Sequence, residues 1–80
     1  MSAESILSFN QGKYHQYITK DIKEAMKCYI ISANDDLEEA INKIVKYIEE
    51  TNDIKLLKEY KSIMNNNCIR ILEKKIRYSN

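Results

Sequence analysis

Residues 13–33 read KYHQYITKDIKEAMKCYIISA. Within them Tyr14, Ile18, Ile22, Ala25, Tyr29 and Ala33 recur at spacings of 4, 4, 3, 4 and 4, the period of one helical face. Met26 and Ile30 widen that stripe, while Tyr17, Cys28 and Ile31 lie off it. At about 100° per residue, Ile31 stands almost opposite Ile22. The chain of 80 residues has no proline, and Gly12 is its only glycine, so little in it breaks a helix. The stretch predicts a helix over about residues 13–33. The fold class follows: all-α, a small antiparallel helical bundle in one domain.

Outward from this helix, the chain predicts two more of similar kind. Asn34-Asp35-Asp36 interrupts the pattern, and Asp35 followed by Glu38 makes a capping-box arrangement with Asp in place of Ser or Thr. The next helix is expected over about residues 36–50, with Leu37, Ile41, Ile44, Val45 and Ile48 inward. So short a connection folds it back antiparallel. Thr51-Asn52-Asp53 forms a second turn. The last helix is expected over about residues 54–77, on a stripe of Leu57, Tyr60, Met64, Cys68 and Ile71. Its carboxyl-terminal half carries a second row, Ile69, Leu72 and Ile76, rotated well away from Met64. Asn65-Asn66-Asn67 is a soft spot, because asparagine amides compete for nearby backbone groups. A helix continuous through it is favoured over a break that leaves residues 68–78 separate. Before the bundle, Ser2 is placed to cap a short helix over about residues 3–9, ended by Gly12 in a left-handed conformation. The alternative is an arm over residues 1–12 that docks through Phe9.

Composition narrows the function classes. The hydrophobic fraction of 44% and charged fraction of 31% suit a packed domain rather than a disordered tail. A chain this short buries only roughly 60% of its unfolded surface, and such domains are often completed by a partner or a second copy. The net charge of +1 hides an asymmetry. Residues 1–52 hold six Lys against nine acids (−3), and residues 53–80 hold five Lys and two Arg against three acids (+4). Met1-Ser2-Ala3-Glu4 offers no basic region or long apolar run, there is no Asn-x-Ser/Thr acceptor, and nothing approaches a membrane span. Cys28 and Cys68 then read as reduced, buried thiols of an intracellular, cytoplasmic chain. Eleven lysines against two arginines, with abundant Ile and Asn, suggest an AT-rich genome of phage or bacterial kind.

Most chemistries lack their parts. One glycine cannot make a phosphate-binding loop. The acid pairs Asp35-Asp36, Glu38-Glu39 and Glu49-Glu50 sit at helix ends or on polar faces, where they are solvated rather than catalytic. His15 is the only histidine, and His15, Cys28 and Cys68 lie on separate stretches without a Cys-x-x-Cys pair. A structural zinc would therefore need assembly across subunits. A Cys–His nucleophilic pair would need a depressed thiol pKa and a pocket. The expectation is a non-enzyme with no cofactor, metal or small-molecule substrate.

What remains is surface. Tyr17, Ile31 and Tyr47, with the row Ile69, Leu72 and Ile76, are apolar groups that one core does not obviously need. Arg70, Lys74 and Arg77 share a helical side beside that row. The expected function is a protein-binding module, such as a regulator, inhibitor, chaperone or adaptor, that packs helices against a protein target or a second copy. The competing reading is nucleic-acid binding by the basic last helix. The run Lys55-Leu56-Leu57-Lys58-Glu59-Tyr60-Lys61-Ser62-Ile63-Met64 resembles the second helix of type III secretion needle subunits. The likeness covers about ten residues of helix. The proline-containing turn of that family is absent, and the upstream helix starts earlier. The resemblance implies a small helical subunit or chaperone of a secretion or phage assembly as a further alternative.

Overall fold

A computed structural model describes residues 3–79, with side chains described as far as Ile76. Among the described residues every regular element is helical: α1 (Ala3–Tyr14), a π-helical turn (His15–Thr19), α2 (Ile22–Asn34), α3 (Glu38–Thr51), α4 (Ile54–Tyr60), a 3-10 turn (Lys61–Ile63) and α5 (Asn66–Ser79). The chain is all-α. No helix among the described residues is long and apolar enough to cross a membrane. Ser2 lies outside the described residues, as does the side chain of Arg77.

The predicted helix over residues 13–33 falls on three elements: the end of α1, the π turn and α2. α1 runs through Gly12 to Tyr14 and gives way to the π turn, where each hydrogen bond reaches one residue further and rotates the apolar face. Tyr14 and Ile18, expected on the core stripe, are exposed. Lys20 then takes a left-handed φ of 62°, and Asp21 caps α2 by accepting from the Glu24 amide at 3.2 Å. α1 and α2 form an antiparallel pair. The Ser32 hydroxyl donates to the Ser5 carbonyl at 2.6 Å, and Phe9 packs on Tyr29 with ring centroids 5.6 Å apart.

Gly12 works differently from its expected left-handed role. It is buried inside α1 under the Tyr29 ring, where a side chain would collide. The left-handed positions belong to Lys20, Asp36 and Asn52. Asp36 closes α2: its amide bonds the Ala33 carbonyl, and the Leu37 amide bonds that of Ser32. This is the Schellman arrangement, with Leu37 turned inward behind it. The capping box expected of Asp35 and Glu38 does not form. Asp35 ends α2 and accepts from the Ser5 hydroxyl at 2.7 Å, and Leu37 is the residue before α3.

The last predicted helix is broken. α4 starts on its cap Asp53, which accepts from the Leu56 amide at 3.2 Å, and tightens into the 3-10 turn. Met64 is extended. Asn65 then accepts from the Cys68 amide at 2.8 Å, which makes it the cap of α5. A capping amide competes with helix continuation, and here it wins because Asn34 completes the site. The Asn34 side chain donates to the Ile63 carbonyl at 2.8 Å and accepts from the Asn65 amide at 2.9 Å. Asn65 returns a bond to the Asn34 carbonyl at 2.7 Å. The break lets α5 run alongside α3 in the same direction: Asn67 donates to Asp36 at 2.7 Å, and Ile71 lies beside Ile41. A continuous antiparallel helix over residues 54–77 could not make those contacts.

The core is one cluster. Ala25, Met26, Tyr29, Ile30 and Ala33 of α2 meet Ala40, Ile41, Ile44 and Ile48 of α3, with Phe9, Leu37, Leu56, Cys68 and Leu72 closing it. Cys68 is wholly buried, and burial pushes its thiol up to about 11, with Asp36 adding to the rise. An unfolded thiol loses its proton near about 8.5. Between roughly pH 8.5 and 11 the unfolded chain therefore binds fewer protons than the folded one, and stability falls as pH rises. Tyr29, pushed up to about 12 by burial, adds the same sign above roughly pH 10. Urea midpoints should drop from pH 8 to pH 10, and Cys68→Ala should flatten part of that slope. Equal drops in the two proteins would contradict the assignment.

Candidate functional site

The helix break that redirects α5 also opens a groove between α4 and α5. Leu57, Met64, Ile69 and Leu72 form its apolar floor, Ile54 stands at one end, and Lys58, Lys61 and Glu73 edge it. Leu57, Met64 and Ile69 are half-buried, Ile54 and the neighbouring Ile63 are exposed, and Leu72 is buried. The groove encloses about 230 Å3. That is below the roughly 300–1,000 Å3 of small-molecule sites. It suits a few apolar side chains of another helix.

The row Ile69, Leu72 and Ile76 divides on this geometry. Leu72 belongs to the core, Ile76 packs half-buried against it, and Ile69 turns to the groove. Once the helix breaks, α5 faces the core on its own terms, so the second row is chiefly its inward face. Arg70 and Lys74 are exposed, and Arg70 donates to the Asn67 side chain at 2.6 Å. Ile54, Leu57 and Met64 were legible as apolar helix positions, but their facing the same groove as Ile69 was not.

Tyr17, Ile31 and Tyr47 do not line this groove. Tyr17 is half-exposed and accepts from Lys43 Nζ at 2.7 Å, with the same ammonium 5.1 Å from its ring centroid. That bond holds the phenol below its usual pKa. Tyr47 is half-buried and donates to Asp53 at 3.2 Å, which braces α3 against the start of α4. Burial, then Asp53, holds its phenol above the usual value. Ile31 is exposed on α2, as its place opposite Ile22 implied.

A second cluster lies at the other end of the chain. One ring nitrogen of His15, a carboxylate oxygen of Glu24 and the Cys28 sulfur all lie within 4.8 Å of one another. Glu24 and Cys28 share a helical face at spacing i, i+4. The π turn and the turn through Lys20 bring His15 onto them. Two of the three residues weighed for zinc from the sequence, His15 and Cys28, thus meet within one chain, while Cys68 is not part of the cluster. The Glu24–Cys28 spacing was readable, but nothing local indicated where His15 would land. Burial, then Glu24, raises the Cys28 thiol pKa. A cysteine nucleophile needs the opposite shift.

No protein-family model, curated protein or solved structure matches this chain.

Proposed function

We propose that the chain is a non-catalytic binding module whose groove between α4 and α5 takes the apolar face of an acidic amphipathic helix from a protein partner. The observation that carries this reading is an open apolar floor of Leu57, Met64, Ile69 and Leu72 with Lys58 and Lys61 on its edge. The net +4 of residues 53–80 sets the sign of the partner. Charge on the rim steers and orients the encounter, while burial of the floor supplies affinity.

The test uses a synthetic amphipathic helix with leucines at i, i+4 and i+7 and glutamates elsewhere, labelled for fluorescence anisotropy. Ile69→Asp places a charge on the groove wall and should weaken binding at least about tenfold, or about 1.4 kcal/mol. Lys58→Glu with Lys61→Glu should weaken it less and mainly slow association. A lysine-substituted peptide should bind poorly. Equal binding by wild type and a folded Ile69→Asp variant would overturn the groove. Binding of a labelled duplex oligonucleotide, falling steeply with salt and lost in Lys74→Glu with Arg77→Glu, would favour the nucleic-acid reading through Arg70, Lys74 and Arg77 instead. Self-association that Ile69→Asp abolishes would make a second copy the occupant.

A further inference from the structure

The cluster at the start of α2 has a donor set with a definite chemistry. An imidazole nitrogen, a carboxylate oxygen and a thiol sulfur, mutually within 4.8 Å, suit a borderline divalent transition-metal ion. Calcium and magnesium prefer all-oxygen shells, and a thiol is a poor partner for either. Charge also balances: one thiolate and one carboxylate neutralise a 2+ ion, so the loaded, partly buried site is neutral.

The surroundings fit the same use. The Thr19 hydroxyl donates to the His15 carbonyl at 3.3 Å, so its lone pair is free to accept from His15 Nδ1 at 3.1 Å. Asp21 N–H donates to the same hydroxyl at 3.3 Å and holds it in place. A proton on Nδ1 leaves the other ring nitrogen with its lone pair, the tautomer that a ligating imidazole needs. Tyr14 packs edge-on against the ring at 5.5 Å between centroids. Lys27 pairs with Glu24 Oε2 only at a long 3.9 Å, a weak hold on a half-exposed carboxylate. Around a tetrahedral zinc the donors sit roughly 3.3–3.7 Å apart, given bonds of about 2.0–2.3 Å. Closing from 4.8 Å is a movement of about 1 Å, within reach of side-chain rotation on the half-exposed His15 and Glu24.

We infer that His15, Glu24 and Cys28 form a three-ligand zinc site that ties the π turn to α2 and leaves a fourth position open. On binding, the metal–sulfur bond forms and the thiol proton passes to solvent. The site is independent of the groove between α4 and α5.

Cobalt(II) is the probe, added to the reduced full-length chain. The expected result is one equivalent bound per chain, with thiolate-to-cobalt absorption in the near ultraviolet and visible bands of a four-coordinate ion, all reversed by zinc. Zinc alone should raise the melting temperature. Cys28→Ser should abolish the near-ultraviolet band. His15→Gln should weaken affinity at least about tenfold without touching the core, and Glu24→Gln should also weaken it. Cys68→Ala should retain full binding. Circular dichroism without metal checks that each variant is folded. A folded wild type without the band would overturn the site. So would a band that survives Cys28→Ser, one that requires Cys68, or undiminished affinity in His15→Gln.

Discussion

Gly12→Val should remove a large share of the stability of this chain. A Cβ at Gly12 would lie 2.6 Å from Tyr29 Cε1, 2.7 Å from Cδ1 and 3.1 Å from Cζ. The ring has little freedom to retreat. It is wholly buried, Phe9 packs against it, and its hydroxyl donates to Gln16 Oε1 at 2.5 Å. Alanine in a helix is favoured over glycine by about 1 kcal/mol, but overpacking a core costs about 1–3 kcal/mol. Gly12→Ala should therefore be mildly destabilising. Valine brings two more methyl groups to the same contact and should cost about 3 kcal/mol or more. A domain of this size has about 4–12 kcal/mol in total. Thermal and urea unfolding followed by circular dichroism would read the order wild type, alanine, valine. An alanine variant that melts above wild type would show that Tyr29 yields and that helix propensity decides.

Asn65→Ala should cost about 2 kcal/mol, a fall of roughly 8–16 °C in melting temperature. It removes the cap on the Cys68 amide and the bond to the Asn34 carbonyl. Asn34→Ala should cost about 1–2 kcal/mol through the lost bonds to Ile63 and Asn65. The double variant should lose less than the two single losses together, because the pair shares one network. Replacing Asn65, Asn66 and Asn67 together by alanine makes a sharper test. It raises local helix propensity, yet should destabilise the protein, since a straight helix would pull Cys68 and Leu72 out of the core. A stabilised triple variant would mean that the break is incidental to the fold.

These two sites also show where local reading stops. The 3–4 spacing of Ala25, Tyr29 and Ala33, and of Ile41, Ile44 and Ile48, identified the core faces of α2 and α3, because burial on a helix must follow its turn. The turn at Thr51-Asn52-Asp53 was equally visible, and within it the structure makes Asp53 the cap, its carboxylate accepting from the backbone three residues on. Gly12 was misread because a lone glycine after Asn10-Gln11 resembles a helix end. Its actual partner, Tyr29, is seventeen residues away in the chain. The groove was partly legible: Ile69 is on it, but Leu72 and Ile76 were drawn into the core once α5 changed direction. The His15–Glu24–Cys28 cluster combined one readable spacing with one long-range approach.

The sequence alone determined an all-α chain, the core faces of α2 and α3 and the turns at residues 34–36 and 51–53, because periodicity and capping act within one or two helical turns. Only the tertiary structure decided which asparagine ends a helix, which isoleucines stay outside and which side chains meet at Cys28. Those outcomes depend on partners thirteen to thirty-one residues away, such as Gln16 for Tyr29 and Asn34 for Asn65. A local hydrogen bond contributes only about 1 kcal/mol, and so the burial of a whole side chain elsewhere can override it.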